Sequence, residues 1–164
     1  MLRPVQMLTV SQGPTHHFFA LENVLVTYYV QVPPLSALRQ REVWLRSITR
    51  THEHIALLVV VDKDAVGPLP GDEFRAVLQA QAAQYMHFTA CSAVVLEGSG
   101  MWFSLLRAGL RSLGMVTRVS FPVRYFDSVS SAAPFAIECA GARVTPRMVA
   151  DTLESVRLTP PVAE

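Results

Sequence analysis

Residues 55–61 read Ile55-Ala-Leu-Leu-Val-Val-Val61, an unbroken run of apolar residues in which β-branched side chains and leucine dominate. A run of this kind, too short for a helix of ordinary length and closed by Asp62, is the mark of a parallel strand covered on both faces by helices. A second run, Ala90 to Leu96, has the same character. Between them a loop containing Gly67, Pro68 and Pro70 leads into a helical stretch from about Gly71 to Tyr85. Asp72 and Glu73 stand in its first turn, where the helix dipole favours negative charge.

Upstream, Phe18–Leu21 and Val24–Val30 predict two strands around a turn at Glu22-Asn23, with Asn23 suited to the positive φ that a tight hairpin needs. Pro33-Pro34 ends the second strand, and Ser36 is expected to cap the next helix. In that helix Leu38, Trp44, Leu45 and Ile48 fall on one face, and Arg39, Glu42, Arg46 and Arg50 on the other. Downstream, Gly98-Ser99-Gly100 opens a helix expected to run to Leu113 and to stop at Gly114. Val123–Phe126 is a short strand, with Pro122 arguing for an edge or a strand start. Asp127 to Ala140 is then a turn and a helix, with Pro134 expected at the first helical position, and Thr145-Pro146 opens a last helix ending near Arg157.

The expected order is therefore β-β-α-β-α-β-α-β-α followed by one more helix, an α/β chain with a parallel sheet flanked by helices. Residues 17–157 form one domain, residues 1–16 a flexible N-terminal arm without periodicity, and residues 158–164 a frayed tail. A length of 164 residues suits one domain, and 51% hydrophobic with 16% charged residues excludes disorder as the main state.

No apolar run approaches the ~20 residues of a membrane helix, and Met1–Gln6 lacks a secretory pattern, so a cytoplasmic location is expected. Cys91 and Cys139 are too few for a disulfide framework and are expected to be reduced. A net charge of +1 gives no support to nucleic-acid binding. Lys63 is the only lysine among 14 basic residues, a bias that a GC-rich genome explains as well as function does.

The chain resembles the anti-anti-sigma factor (STAS) family, and more closely its divergent bacterial relatives, over about residues 18–140. The resemblance is carried by element order together with Leu58-Val-Val-Val-Asp62, Gly67-Pro68-Leu69-Pro70, Val94-Val-Leu-Glu97 leading to Arg107, and Val123-Arg-Tyr-Phe-Asp127. It implies a small non-enzymatic domain that binds a partner protein, often under control of a phosphorylated Ser or Thr after the strand ending at Val61. Here Asp62 to Asp72 contains no hydroxyl residue, so that phosphate switch, worth ~1.5–2 negative charges, has no acceptor. The helix at 145–157 also lies outside the family pattern.

Candidate chemistry clusters around the two ends of the expected sheet. Gly98, Ser99 and Gly100 combine with Asp62 as a ligand loop, because a strand end that meets a helix N-terminus attracts anions. Neither the dinucleotide fingerprint nor a P-loop is present, so a tight turn with Ser99 as cap is the plain alternative. Asp62, Asp64, Glu97 and Asp127 at strand ends, and His52, His54 and His87 at the opposite end, have ligand chemistry but equally serve as turn, cap and exposed loop residues. No nucleophile motif is present, and no catalytic residue, metal or cofactor is expected.

The helix at 101–113 carries Trp102, Leu106, Arg107 and Arg111, with apolar residues around most of its girth. Packing on one sheet uses only about 100° of a helix or slightly more. Residues 98–126 hold Arg107, Arg111, Arg118 and Arg124 and no acidic residue, whereas in 62–97 Asp62, Asp64, Asp72, Glu73 and Glu97 outnumber Lys63 and Arg75. These features point to a protein-interaction surface, taking an unidentified partner protein or a second copy of the chain. Two alternatives stand beside it: the last helix covers the extra apolar face, or the domain binds a nucleotide or lipid at the Gly98-Ser99-Gly100 turn.

Overall fold

The computed structural model describes residues 4–116 and 118–158. Among them the order is β1 (Met7–Gly13), β2 (His16–Leu21), β3 (Val24–Tyr29), α1 (Leu35–Ile48), β4 (Ile55–Val61), α2 (Asp72–Gln84), β5 (Thr89–Leu96), α3 (Met101–Val116), β6 (Val123–Phe126), α4 (Val129–Ala140) and α5 (Pro146–Leu158). The strands form one mixed sheet in the order β1-β2-β3-β4-β5-β6. The first three are antiparallel hairpin partners, and β3 to β6 are parallel.

Each parallel strand is laid down beside its predecessor in the same direction, so right-handed crossovers carry α1, α2 and α3 over one face. The chain then returns beneath the other face as α4 and α5. That lower core is closed: Ala56, Leu58, Val60, Cys91, Ala93 and Val95 pack with Ala132, Ala133 and Ala136 of α4 and Val149 and Leu153 of α5. Small residues on α4 let the helix sit close to the strands.

Several expectations are corrected. Residues 7–13, read as part of a flexible arm, are the edge strand β1, paired with β2 and bulged between Thr9 and Ser11. An edge strand has one neighbour and little buried face, so its alternation is weak; Val10 alone anchors it among buried residues. In the hairpin at 22–23 the left-handed φ of 57° belongs to Glu22. Asn23 instead donates from Nδ2 to the carbonyls of His54 (2.6 Å) and Ala140 (2.9 Å).

Ser36 makes no cap: α1 starts at Leu35, after Pro34, without a side-chain cap. Helix α3 passes through Gly114 to Val116. In α4 the cap is Ser128, whose Oγ accepts from Ser131 N at 3.3 Å, and Pro134 lies inside the helix. The hydrogen bond that Pro134 cannot donate would have gone to the carbonyl of Ser130, an exposed residue whose C=O can turn to water. The expected Thr145 cap of α5 is present, Met148 N donating to Thr145 Oγ1 at 3.2 Å. Of the tail expected at 158–164, Leu158 is helical and the rest lies outside the described residues.

The largest departure concerns β4 itself. Ala56, Leu58 and Val60 are fully buried under α4, but Leu57 and Val59 on the other face remain partly exposed. A central parallel strand is therefore covered on one face and open over the middle of the other.

Candidate functional site

The opening arises because α2 and α3 do not settle on the strands as closely as α4 does. In α2 only Phe74 and Gln81 are buried; in α3 Phe103 and Leu106 are the buried side chains among those described. Between the two helices and the sheet lies a cleft of about 700 Å³. Its floor runs from Tyr29 of β3 across Leu57, Val59 and Val94 to Val123 and Tyr125 of β6. Leu78 and Ala82 of α2 form one wall, and Trp102, Leu106 and Leu110 of α3 the other. The volume falls within the ~300–1,000 Å³ typical of small-molecule sites, which are mostly apolar with a few placed polar groups.

Three such polar groups matter most. Arg41 lies at the β3 end, 7% exposed, although it belongs to the otherwise apolar Leu38–Leu45 stripe of α1. Its Nη1 donates to Gln81 Oε1 at 2.6 Å, and Gln81 Nε2 in turn donates to the carbonyl of Leu38 at 2.8 Å. Its Nε is buried and has no hydrogen-bond partner. No carboxylate among the described residues pairs with it. Burial holds the guanidinium below its ordinary pKa, an effect partly offset by the neighbouring Tyr29 phenol. Burial in turn raises the Tyr29 phenol, and Arg41 opposes that shift. At the β6 end Arg111 lines the cleft and also a smaller adjoining cavity of about 190 Å³ that it shares with Arg107, Tyr125 and Asp127.

The expected interaction residues are thus divided. Trp102, Leu106 and Arg111 line the cleft, with Leu106 only 7% exposed, while Arg107 is turned away and donates from Nη2 to the carbonyl of Gly98 at 3.2 Å. Trp102 Nε1 donates to the Gly67 carbonyl at 2.8 Å, fixing the start of α3 to the loop after β4. The extra apolar girth of α3 is not covered by α5, which packs with α4 on the opposite face. Met101 and Leu105 of α3 remain exposed, at 80% and 52%.

The expected ligand loop does not reach the cleft. Gly98 is there for packing: a Cβ on it would stand 2.0 Å from the Phe103 ring. Gly100 takes a φ of 96°, which glycine adopts without strain. Asp62 is 8% exposed, its Oδ2 accepting from Tyr28 Oη at 2.6 Å and its Oδ1 from Asp64 N at 2.8 Å. Beside it Glu97 pairs with Arg157, whose guanidinium lies 5.4 Å from the centre of the Tyr28 ring. The sheet order also never reverses among the parallel strands, so there is no switch-point crevice at their carboxyl ends.

Among the described residues no three His, Cys, Asp or Glu side chains meet in a group that could hold a metal. Cys91 and Cys139 are free thiols, and burial pushes the Cys91 thiol up, away from the reactive thiolate. No helix among the described residues is long and apolar enough to cross a membrane.

Arg41 and the partly uncovered centre of β4 escaped the sequence reading. Arg41 stands three residues after Leu38 and four before Leu45, a spacing that places a cation on the core side of an amphipathic helix. That was the available signal. Compared with known protein families, with curated proteins and with solved structures, the chain has no significant match.

Proposed function

We propose that the chain is a binding module for an apolar small molecule, held between the sheet and helices α2 and α3. The observation that carries this function is the exposure of Leu57 and Val59 in the middle of a central parallel strand, under a cleft of about 700 Å³. Leaving such side chains in contact with water forgoes stabilisation of about 25 cal/mol per Å². A ligand that covers them recovers it. The occupant is a small molecule as in the second expectation above, but it lies under α2 and α3 and not at the Gly98 turn.

The test is titration with N-phenyl-1-naphthylamine, a neutral dye that fluoresces in apolar surroundings. Wild-type protein is expected to bind it saturably. Val59→Trp, which fills the floor of the cleft, should weaken binding roughly tenfold or more, about 1.4 kcal/mol, while the melting temperature is kept or raised. A folded Val59→Trp protein with unchanged dye affinity would overturn the assignment.

A second function, in keeping with a STAS-like regulatory domain, is contact with a protein through the outer side of α3. Exposed Met101 and Leu105 favour it, with Val66 (57%) and Leu69 (38%) in the loop after β4 adding apolar surface. In its second-copy form, light scattering should give a dimer for wild type and a monomer for Met101→Glu/Leu105→Glu. A monomeric wild type removes that form.

A further inference from the structure

The cleft contains a feature that an apolar ligand alone does not explain. A guanidinium costs several kcal/mol to take out of water, and proteins normally offset this with a carboxylate or a full set of acceptors. Arg41 has neither: one N–H is held by the neutral amide of Gln81, Nε has no partner, and the residue is 93% buried. Bridging α1 to α2 does not require a charge there. A neutral donor could hold Gln81 Oε1 without the desolvation penalty, so the interhelical hydrogen bond leaves the cation unaccounted for. Its Nε, buried and without a partner, also lacks the water that surface arginines keep.

We infer that the cleft takes an apolar chain ending in a carboxylate, with the carboxylate against Arg41 and the chain lying across β4 and β5 toward Val123 and Tyr125. The inference rests on the cleft being a ligand site and names the class of ligand. The acidic group supplies the counter-charge that the fold omits, and a planar guanidinium is suited to a carboxylate oxygen pair. The Tyr29 phenol lies close enough to Arg41 to interact with it electrostatically, and it also lines the cleft. From β3 to β6 the floor spans three strand spacings, roughly 14 Å at about 4.8 Å each. That length suits an extended acyl chain better than a compact ring system.

The experiment is displacement of bound N-phenyl-1-naphthylamine from the full chain by dodecanoate, methyl dodecanoate and dodecyltrimethylammonium, the two ions below their micelle concentrations and the ester below its solubility. The acid is expected to compete at least about tenfold more tightly than the ester, and the cationic chain more weakly than either. Arg41→Met should abolish the preference for acid over ester while ester binding persists, and Arg41→Lys should retain part of it. The ratio of acid to ester is the readout, since a merely structural role for Arg41 would weaken both chains alike and leave the ratio unchanged. An ester that binds wild type as tightly as the acid overturns the carboxylate assignment and leaves the apolar cleft standing. Failure of the dye and of every chain to bind overturns the ligand site itself. Should Arg41→Met not fold, the wild-type acid-to-ester ratio still decides.

Discussion

Asn23 shows how one side chain can join distant parts of the chain. Its Nδ2 holds the carbonyls at the start of β4 and the end of α4, so the β2–β3 turn, the central strand and the lower helical layer meet at one amide. Asn23→Ala leaves those two acceptors without their donor, at a cost of about 1–3 kcal/mol. Thermal unfolding should show a melting temperature lower by several degrees; an unchanged value would mean that water replaces the amide without loss. The sequence marks Asn23 for its conformational tolerance, whereas the positive φ falls on Glu22, whose carboxylate accepts from Arg143 N (2.9 Å) and Nε (3.0 Å). Local preference identifies the turn but not the long-range partners, which no spacing encodes. Arg41 is the opposite case. Its place on the apolar stripe is written in the spacing, but that no anion would face it depends on how α1, α2 and β3 come together.

At the scale of elements, apolar runs, helical periods and the Pro, Gly and cap residues that bound them mark most of the strands and helices. β4, α2, β5, β6 and α5 stand close to where their residues suggest. β1 is missed because a single-partner edge strand with a bulge alternates poorly, and because Pro14 and Gly13 suggest a loose arm when they in fact close a turn. This hairpin also holds a pH-sensitive group. His16, 6% exposed, has Ser11 Oγ at 2.8 Å from Nε2 and Thr15 Oγ1 at 3.0 Å from Nδ1. Burial, and then the neighbouring His17, lower its pKa from 6.5 to about 4. The unfolded chain therefore takes up a proton over a range in which the native state does not. Melting temperature should be flat above pH 6.5 and fall as pH is lowered from 6.5 toward 4. His16→Gln should lessen the slope in that window; an equal slope in the variant would assign the loss to other groups.

For the molecule as a whole, the alternation of strand and helix is enough to expect parallel pairing in a sheet flanked by helices, and β3 to β6 pair so, within a mixed sheet whose first three strands are antiparallel. What alternation does not reveal is the inequality of the layers. Alanines on α4 bring one layer tight against the strands, while α2 and α3 stand apart on the other and leave Leu57 and Val59 partly exposed. An apolar strand reads the same whether a helix or a ligand covers it, so the cleft is invisible until the layers are assembled. The partly uncovered strand, read as a ligand site, also bears on the fate of the protein in a cell. A ligand present at ~100 times its dissociation constant adds about 2.7 kcal/mol to the stability of the chain that holds it, and empty copies, which unfold more often, fall first to proteases. With the proposed ligand in the cleft, the steady abundance of the protein would follow the supply of that ligand, a form of control that requires no phosphorylated hydroxyl after β4.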